Sequence, residues 1–528
     1  MRRSFARSMT ALAAVAFCPS SAAAQQPVVV FGSAVWMDER GNPQPIRHAQ
    51  VQVWNARTGQ PLGTPDTTDS LGAFTLPIPA PADPVFVRVH ALAPDVRVQR
   101  PSDKRDHFYD GVARAPTNLA APDTLRVPRA AEANGAFSIL DAITRGVMYL
   151  DSLPPKARGP VVVRYPGKRT GYDWSDGSIH IGATDPWDWD VVLHEYGHAV
   201  AGRLGVDLNV GGVHEPGNNL AKDSAKPLSM LSLAWGEGLA TFFAVRAQRV
   251  LGLSRLGLPR VGDARYTDPE IGEADWALDS QDVHKALGED NEVAVSRILY
   301  DLVDEVDPAA GDAVSMGDGT LWKRLEAGPA FALPAAWNTL TLKSSVLEKA
   351  AVGGVFGVHG AAARPTAPAD GQAPGAAAPE FRWAHPTGYP PHDRYALEIL
   401  RQDGTSVWCS AHQPGEPVFL TPTKEVWHTV LAAGLPLAWV VHSWRAAAPM
   451  TVYTSGARIL GPAAPPVPSP PQGHAGSDDA AARPPAAPPA SAATEGGGRR
   501  AGATPSAAPV APSSPRPGGG RGCGPAPP

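Results

Sequence analysis

The sequence predicts a multidomain α+β protein, in which a mostly helical central domain lies between two small antiparallel β-sandwich domains. Short apolar or alternating segments separated by Gly, Pro and Asp fill residues 27–128 and again residues 380–461, as antiparallel strands require. Between them, residues 134–358 carry apolar side chains at helical spacing. Residues 359–379 are a Pro/Ala/Gly linker, and residues 462–528 are so rich in Pro, Ala, Gly and Ser that we expect a disordered tail.

The first 24 residues have the pattern of a secretory signal peptide. Arg2, Arg3 and Arg7 form a basic start, an apolar run follows, and small residues precede a cleavage point near Ala24. The apolar run is about half of the roughly 20 residues that a membrane span needs. We therefore expect a secreted or periplasmic protein without a membrane span.

The charge and the cysteines exclude several classes of protein. The 528 residues carry a formal net charge of −5, so no basic field favours a nucleic-acid partner. Of the three cysteines, Cys18 lies in the signal peptide, and the spacing of Cys409 and Cys523 is not that of a zinc site. A disulfide between Cys409 and Cys523 stays open, as does the oligomeric state.

A short stretch in the central domain has the spacing of a metal site. His194 and His198 are four residues apart, so both imidazoles lie on one face of a helix, and Glu195 lies beside them. Thr184-Asp185-Pro186 predicts the helix start, with Pro at the first helical position, and Gly205 predicts its end. Two histidines leave a catalytic zinc site short of one protein ligand.

The next predicted helix, Leu231 to about Leu251, contains a candidate for the third ligand. Its Glu237 lies among apolar and small residues, where an unpaired carboxylate is seldom buried, and coordination would compensate the charge. His214, in a Gly/Asn/Pro loop, is the alternative ligand. Asp207 lacks the Gly-Thr context of aspzincins, and Ala201 stands where metzincins have a glycine. Helices are also predicted around Asp275–Ala286 and over Asn291–Val306.

Two segments resemble known families. The stretch Val192 to Val200, taken with Trp235 to Ala240, is similar to the paired motif of gluzincin metallopeptidases, the broad thermolysin-like clan, over about residues 136–350. The first β-domain resembles the carboxypeptidase regulatory-like domain, whose pattern is carried by Gly32, Pro45, Ala49, Val51, Val53, Thr67, Asp69, Gly72 and Phe74.

The gluzincin resemblance implies a zincin-like fold for the central domain and one zinc ion per chain, held by His194, His198 and Glu237. It implies a zinc-activated water, with Glu195 as general base, that hydrolyses peptide bonds. Thr241 stands where thermolysins have an aspartate, so the partner of one histidine is open. The aminopeptidase motif Gly-x-Met-Glu-Asn is absent.

Several features of such an enzyme stay open at this point. The strand Ser178–Gly182 is either an edge strand that pairs with substrate or an interior strand. A non-catalytic extracellular binding or adhesion protein with a degenerate zincin core is the alternative function. Candidates for the group that stabilises the oxyanion are His284 and Tyr266, with Tyr300, His214 and Tyr196 behind them.

Overall fold

The structure is a computed structural model, and it describes most of the chain between residues 27 and 461. The predicted signal peptide and the predicted tail, with Cys523, lie outside the described residues. The described ranges are 27–119, 121–153, 159–208, 211–212, 214–222, 224–268, 274–279, 286–307, 312–328, 330–388, 391–414 and 418–461.

The chain is a mixed α+β protein that divides into two compact units. The first unit contains residues 27–307 and 314–342, and the second contains residues 343–387 and 391–461. The predicted first β-domain and the predicted metal site therefore belong to one unit. The helix at 346–358, which we assigned to the central domain, belongs to the other unit.

The first unit begins with two four-stranded sheets. One contains β1 (Val28–Met37), β2 (Pro43–Pro45), β5 (Ala73–Ile78) and β10 (Asp123–Arg126), and the other contains β3 (Gln50–Asn55), β4 (Pro61–Thr67), β6 (Val85–His90) and β9 (Phe108–Asp110). Alternate residues of β3 and β6 are buried, because successive strand side chains point to opposite faces.

A five-stranded sheet follows, and it takes strands from both predicted domains. Its order is β12 (Gly171–Asp173), β13 (Ser178–Gly182), β11 (Val161–Gly167), β8 (Val96–Gln99) and β7 (Leu92–Ala93). The strand β8 pairs in parallel with β11, so the segment 27–128 contributes directly to the sheet beside the site. The buried ion pair of Arg47 with Asp141, 2.6 Å long, joins the same two segments.

In its described residues the first unit contains six α-helices: α1 (Glu132–Asp151), α2 (Trp189–Leu204), α3 (Pro227–Val250), α4 (Glu292–Asp301), α5 (Asp318–Glu326) and α6 (Leu333–Leu340). Asn134 lies in the first turn of α1 and exchanges two hydrogen bonds with the backbone of Met37. The helix α4 begins after Asn291, as predicted, but ends at Asp301 rather than near Val306.

The helix α2 begins three residues later than predicted. The side chain of Asp188, not of Thr184 or Asp185, accepts hydrogen bonds from the first free backbone N–H groups of the helix. Its end was predicted correctly, because Gly205 adopts the left-handed conformation (φ 67°) that glycine permits at this position. His194 and His198 consequently lie in the middle of a capped helix.

The helix α3 is the one helix in the described part of the chain that is long and apolar enough to cross a membrane. About 72% of its most apolar window is buried inside the fold, as in the core helix of a globular protein. It packs against α1, α2 and α4, and Trp235 donates from Nε1 to the carbonyl of Val206 at 2.7 Å.

The predicted helix around Asp275–Ala286 was wrong at its start. Residues Ala274–Ala277 form strand β15, which pairs antiparallel with β14 (Arg265–Asp268). The residues from 280 to 285 lie outside the described part. Trp276 stabilises the strand conformation, because its ring stacks on Tyr266 of the paired strand with centroids 5.6 Å apart.

The second unit combines sheets with two helices, α7 (Val346–Val358) and α8 (Lys424–Ala432). The linker prediction missed β16 (Arg364–Ala367), and the β-sandwich prediction missed α8, whose Trp427 and Val430 pack into the sheet core. Cys409 is disulfide-bonded. The remaining strands are β17 (Phe381–Ala384), β18 (Arg394–Arg401), β19 (Ser406–Cys409), β20 (Gln413–Pro414), β21 (Phe419–Leu420), β22 (Leu437–Arg445), β23 (Ala448–Thr454) and β24 (Arg458–Leu460).

Candidate metal centre

Helices α2 and α3 bring together the three side chains that the sequence selects as ligands. Nε2 of His194 lies 3.1 Å from Oε2 of Glu237, and Nε2 of His198 lies 3.2 Å from the same oxygen. The two Nε2 atoms are 3.2 Å apart. Among the described residues, this group is the cluster of three His, Cys, Asp or Glu side chains that can hold a metal ion.

The spacing of the three donor atoms fits a small tetrahedral ion. Zinc bound to nitrogen and oxygen at about 2.0–2.1 Å in a tetrahedron has ligand atoms about 3.3 Å from each other. The observed separations of 3.1–3.2 Å are close to that value. Two imidazoles and one carboxylate would leave a tetrahedral ion one position free for water, as catalytic zinc sites do and structural sites do not.

The second nitrogen of each histidine has a partner that directs Nε2 toward the site. Nδ1 of His194 lies 3.1 Å from the hydroxyl of Thr241, and Nδ1 of His198 lies 3.1 Å from Oδ2 of Asp207. These are the partners that metal-binding histidines require to fix their ring orientation and tautomer. Asp207, excluded above as a ligand, thus lies on the far side of His198.

Two glycines allow this close approach of helices. A Cβ atom on Gly197 of α2 would lie 2.9 Å from the Cα of Ala240 in α3, closer than packed atoms tolerate. A Cβ atom on Gly236, next to the third ligand, would lie 2.7 Å from Oδ1 of Asp207. The glycines beside the ligands therefore let α3 and Asp207 come within reach of both histidines.

Burial and charge act against each other at the ligands. Burial raises the pKa of Glu237, but the neighbouring imidazoles of His198 and His194 lower it by a larger amount. The pKa of Glu237 is therefore well below its usual value. Burial lowers the pKa of His198, but the charge of Glu237 and the hydrogen bond to Asp207 outweigh it and raise the pKa well above normal. The buried carboxylate therefore stays ionised and attracts a cation.

Glu195 lies on the wall of the same cavity, and its side chain is half-buried. Burial raises the pKa of its carboxyl group, while the neighbouring His194 and His198 oppose the rise. The backbone amide of Tyr172 in β12 also opposes this rise in the pKa of Glu195. A carboxylate whose pKa is raised is a better proton acceptor than one in water.

His214, the alternative third ligand, lies next to Glu237 rather than in its place. Nε2 of His214 lies 3.6 Å from Oε1 of Glu237, and its Nδ1 lies 2.9 Å from Oε2 of Glu292. Burial lowers the pKa of His214, but the interaction with Glu292 exceeds that effect and raises the pKa to about 9. His214 is therefore a proton donor that points toward the ligand group.

The loop of His214 is held by the residues that precede α4. The buried carboxylate of Asp290 accepts hydrogen bonds from Nδ2 of Asn219 at 2.7 Å and from the backbone of Ala221 at 3.2 Å. Nδ2 of Asn291 donates to the carbonyl of Asn218 at 3.1 Å. These bonds position the loop against the start of α4, where Glu292 meets His214.

The other candidates for stabilising the oxyanion differ in whether they line the cavity. Tyr266 lines the cavity, with its ring centroid 5.6 Å from that of His194. Burial keeps the pKa of Tyr266 well above its usual value, so its hydroxyl stays protonated. Tyr196 packs in the core against Phe243, Tyr300 does not line the cavity, and His284 lies outside the described residues.

The cavity above the ligands has a volume of about 240 Å³. Its lining consists of Thr170, Val191, His194, Glu195, His214, Pro216, Glu237, Thr241, Tyr266, Asp268, Trp276 and Glu292. Asp268, Trp276 and Glu292 are not among the site residues predicted from the sequence. An acidic residue in the first turn of an apolar helix was the available signal for Glu292. Trp276 gave none because it lies in the segment predicted to be a helix, and no element was predicted over Asp268.

The strand before α2 is an interior strand, which was one of the two alternatives. The strand β13 pairs antiparallel with β12 on one side and in parallel with β11 on the other. The edge of the sheet on this side is therefore β12, which packs against the helix that carries Glu195.

Comparisons of the chain with protein families, with curated proteins and with solved structures find no match. What the site can do is therefore inferred from its own residues and their geometry.

Replacing Asp207 by Ala should weaken zinc binding by about 10–100-fold, because His198 loses the partner that orients its ring. Asp207→Asn, which keeps a hydrogen-bond acceptor, should lose less. Competition with a chromogenic chelator measures both affinities, and thermal unfolding of the metal-free proteins controls for folding. Wild-type zinc affinity in Asp207→Ala would contradict this role.

Proposed function

We propose that this protein is an exported zinc-dependent peptidase that hydrolyses peptide bonds. The observation that carries the proposal is the convergence of His194, His198 and Glu237 on one point, with Glu195 on the wall of the same cavity. The donor set and its spacing support zinc, and the half-buried carboxylate beside them supports catalysis. The signal-peptide pattern of residues 1–24 supports export.

His194, His198 and Glu237 would hold the ion, and a zinc ion in such a site supplies Lewis acidity that activates a water for attack. Glu195 is placed to accept the proton of the attacking water. The carbon of the scissile amide gains a C–O bond, the C–N bond breaks, and Glu195 returns the proton to the leaving amine. Water is the only co-reactant, so atoms and charges balance.

Negative charge develops on the carbonyl oxygen of the scissile bond during the attack, and donors in the cavity can stabilise it. His214 and Tyr266 are the two candidates that line the cavity. The pair with Glu292 keeps His214 protonated, and burial keeps the hydroxyl of Tyr266 protonated. Both are therefore hydrogen-bond donors at neutral pH.

The alternative function, a non-catalytic binding protein, does not explain the position of Glu195. A half-buried carboxylate beside the half-buried His194 and the buried His198 costs desolvation energy, and it is not one of the three converging ligands. Its position on the cavity wall favours the enzyme.

Removal of the metal tests the proposal most directly. The purified protein should contain about one zinc ion per chain and cleave unfolded protein or peptide libraries. Dialysis against a chelator should abolish cleavage, and stoichiometric zinc should restore it, as measured by metal analysis and by mass spectrometry of the products. A protein that binds zinc but cleaves no peptide would leave the binding-protein alternative; cleavage that persists without metal would exclude the mechanism.

A further inference from the structure

One wall of the cavity is the hairpin of β14 and β15, next to His194. On β14, Tyr266 and Asp268 alternate with Thr267, and Tyr266 lies directly opposite Trp276 on β15. Because alternate side chains of a strand point to opposite faces, one face of the hairpin carries Tyr266, Asp268 and Trp276. All three line the cavity.

The opposite face of the hairpin is anchored to the motif helix. The buried carboxylate of Asp190 in α2 accepts hydrogen bonds from the backbone N–H of Thr267 at 3.0 Å and from its hydroxyl at 2.8 Å. Its other oxygen accepts a hydrogen bond from Gln248 of α3 at 2.7 Å. The face that lines the cavity is consequently fixed relative to the metal ligands.

An aromatic surface covers part of this face. The rings of Tyr266 and Trp276 are stacked with an interplanar angle of 6°. Tyr266 is buried, but Trp276 is half-buried and lines the cavity. An accessible indole face of this kind packs against an aliphatic chain and attracts a cation through the ring quadrupole.

The charge of the cavity also favours a cationic ligand. Four carboxylates line it, its lining residues in the described part of the chain include no Lys or Arg, and its protonated imidazole, His214, is paired with Glu292. Glu195 and Glu237 serve the proposed reaction, and Glu292 interacts with His214. Asp268, only 7% exposed, has no part in the proposed hydrolytic step and lies on the same hairpin face as Trp276.

We propose that this hairpin face selects substrates with a Lys or Arg side chain beside the scissile bond. Trp276 packs against the aliphatic stem of that side chain, and Asp268 interacts with its cationic end. An acidic side chain at the same position is repelled by the carboxylate of Asp268. This inference rests on the proposed peptidase function and adds the substrate class.

The test uses zinc-loaded full-length protein and two matched sets of peptides amidated at the carboxyl terminus. One set is acetylated at the amino terminus, and the other has a free amino group. The peptides differ at one position, which is Arg, Lys, norleucine or Glu. The wild type should show the highest kcat/KM for Arg and Lys and the lowest for Glu. In Asp268→Asn, the ratio of kcat/KM for Arg over norleucine should fall by about 10–100-fold, as expected for loss of a charge-assisted hydrogen bond.

Asp275→Asn is the matched control, because Asp275 is an exposed residue of the same hairpin that pairs with Arg265. This variant should keep the wild-type ratio. The ratio is independent of the active fraction, so partial misfolding of Asp268→Asn does not affect it. A wild type that cleaves the peptides without preference for Arg or Lys overturns the substrate class alone.

Two further outcomes have distinct meanings. A wild type that retains zinc and cleaves none of the peptides, blocked or free, overturns the proposed peptidase function and this inference with it. Cleavage restricted to peptides with a free amino group, and dependent on Asp268, assigns the cation to the substrate terminus and overturns the side-chain assignment.

Discussion

Glu195→Gln should leave zinc bound at the wild-type level and lower kcat/KM for peptide hydrolysis by about 10²–10⁴-fold, the usual contribution of general acid–base catalysis. Glutamine has nearly the same shape as glutamate, but its amide does not accept the proton of the attacking water. Because Glu195 is not one of the three converging ligands, its neutralisation should not release the metal. Metal analysis and steady-state kinetics on one purified sample measure both effects.

Glu326→Gln is a suitable control for this substitution, since Glu326 is an exposed residue at the end of α5 in the same unit. It should change neither the zinc content nor kcat/KM. Hydrolysis by Glu195→Gln at the wild-type rate would exclude Glu195 as the base and would leave Glu292, the other cavity glutamate outside the ligand group, as the next residue to replace.

Replacing Glu237 by Gln should release zinc and reduce hydrolysis to the level of the chelated protein. Glu237 supplies the only carboxylate of the ligand group, and two imidazoles do not complete the three-ligand set of a catalytic zinc site. The loss of zinc affinity should exceed the loss of about 10–100-fold expected when an outer partner such as Asp207 is removed. Equilibrium dialysis with zinc measures the affinity.

His214→Ala is the matched comparison for Glu237→Gln. His214 lies 3.6 Å from Oε1 of Glu237 but outside the ligand group, so this variant should retain zinc. The reverse result, in which Glu237→Gln keeps zinc and His214→Ala loses it, would move the third ligand to His214. Thermal unfolding in the absence of metal establishes that both variants fold.

The sequence was informative where local periodicity and ligand spacing act within one helix. The i, i+4 spacing of His194 and His198 has meaning only on a helix, and the terminating Gly205 was visible in the sequence. It was less informative about helix starts, because Thr184-Asp185-Pro186 carries the same capping chemistry as Asp188. Tertiary packing selected Asp188.

The larger errors in predicted secondary structure occurred in short apolar segments. Trp276 and its neighbours fit a helix or a strand equally well over four residues, and only the pairing with Tyr266 decides for a strand. The helix α8 was missed for a similar reason, since Trp427 and Val430 are too few to establish a helical period among predicted strands. In segments this short, the conformation depends more on the packing partner than on the local sequence.

The sequence by itself determined the mixed α+β class, the helix that carries His194, Glu195 and His198, and the choice of Glu237 as the partner of the two histidines. Only the tertiary structure decided that Asp207 and Thr241 orient those histidines, that His214 interacts with Glu292, and that Asp268 and Trp276 form a wall of the cavity. The physical reason is distance along the chain. Ligand spacing within one helix is a local property, whereas the groups around the ligands come from separate segments whose meeting depends on packing.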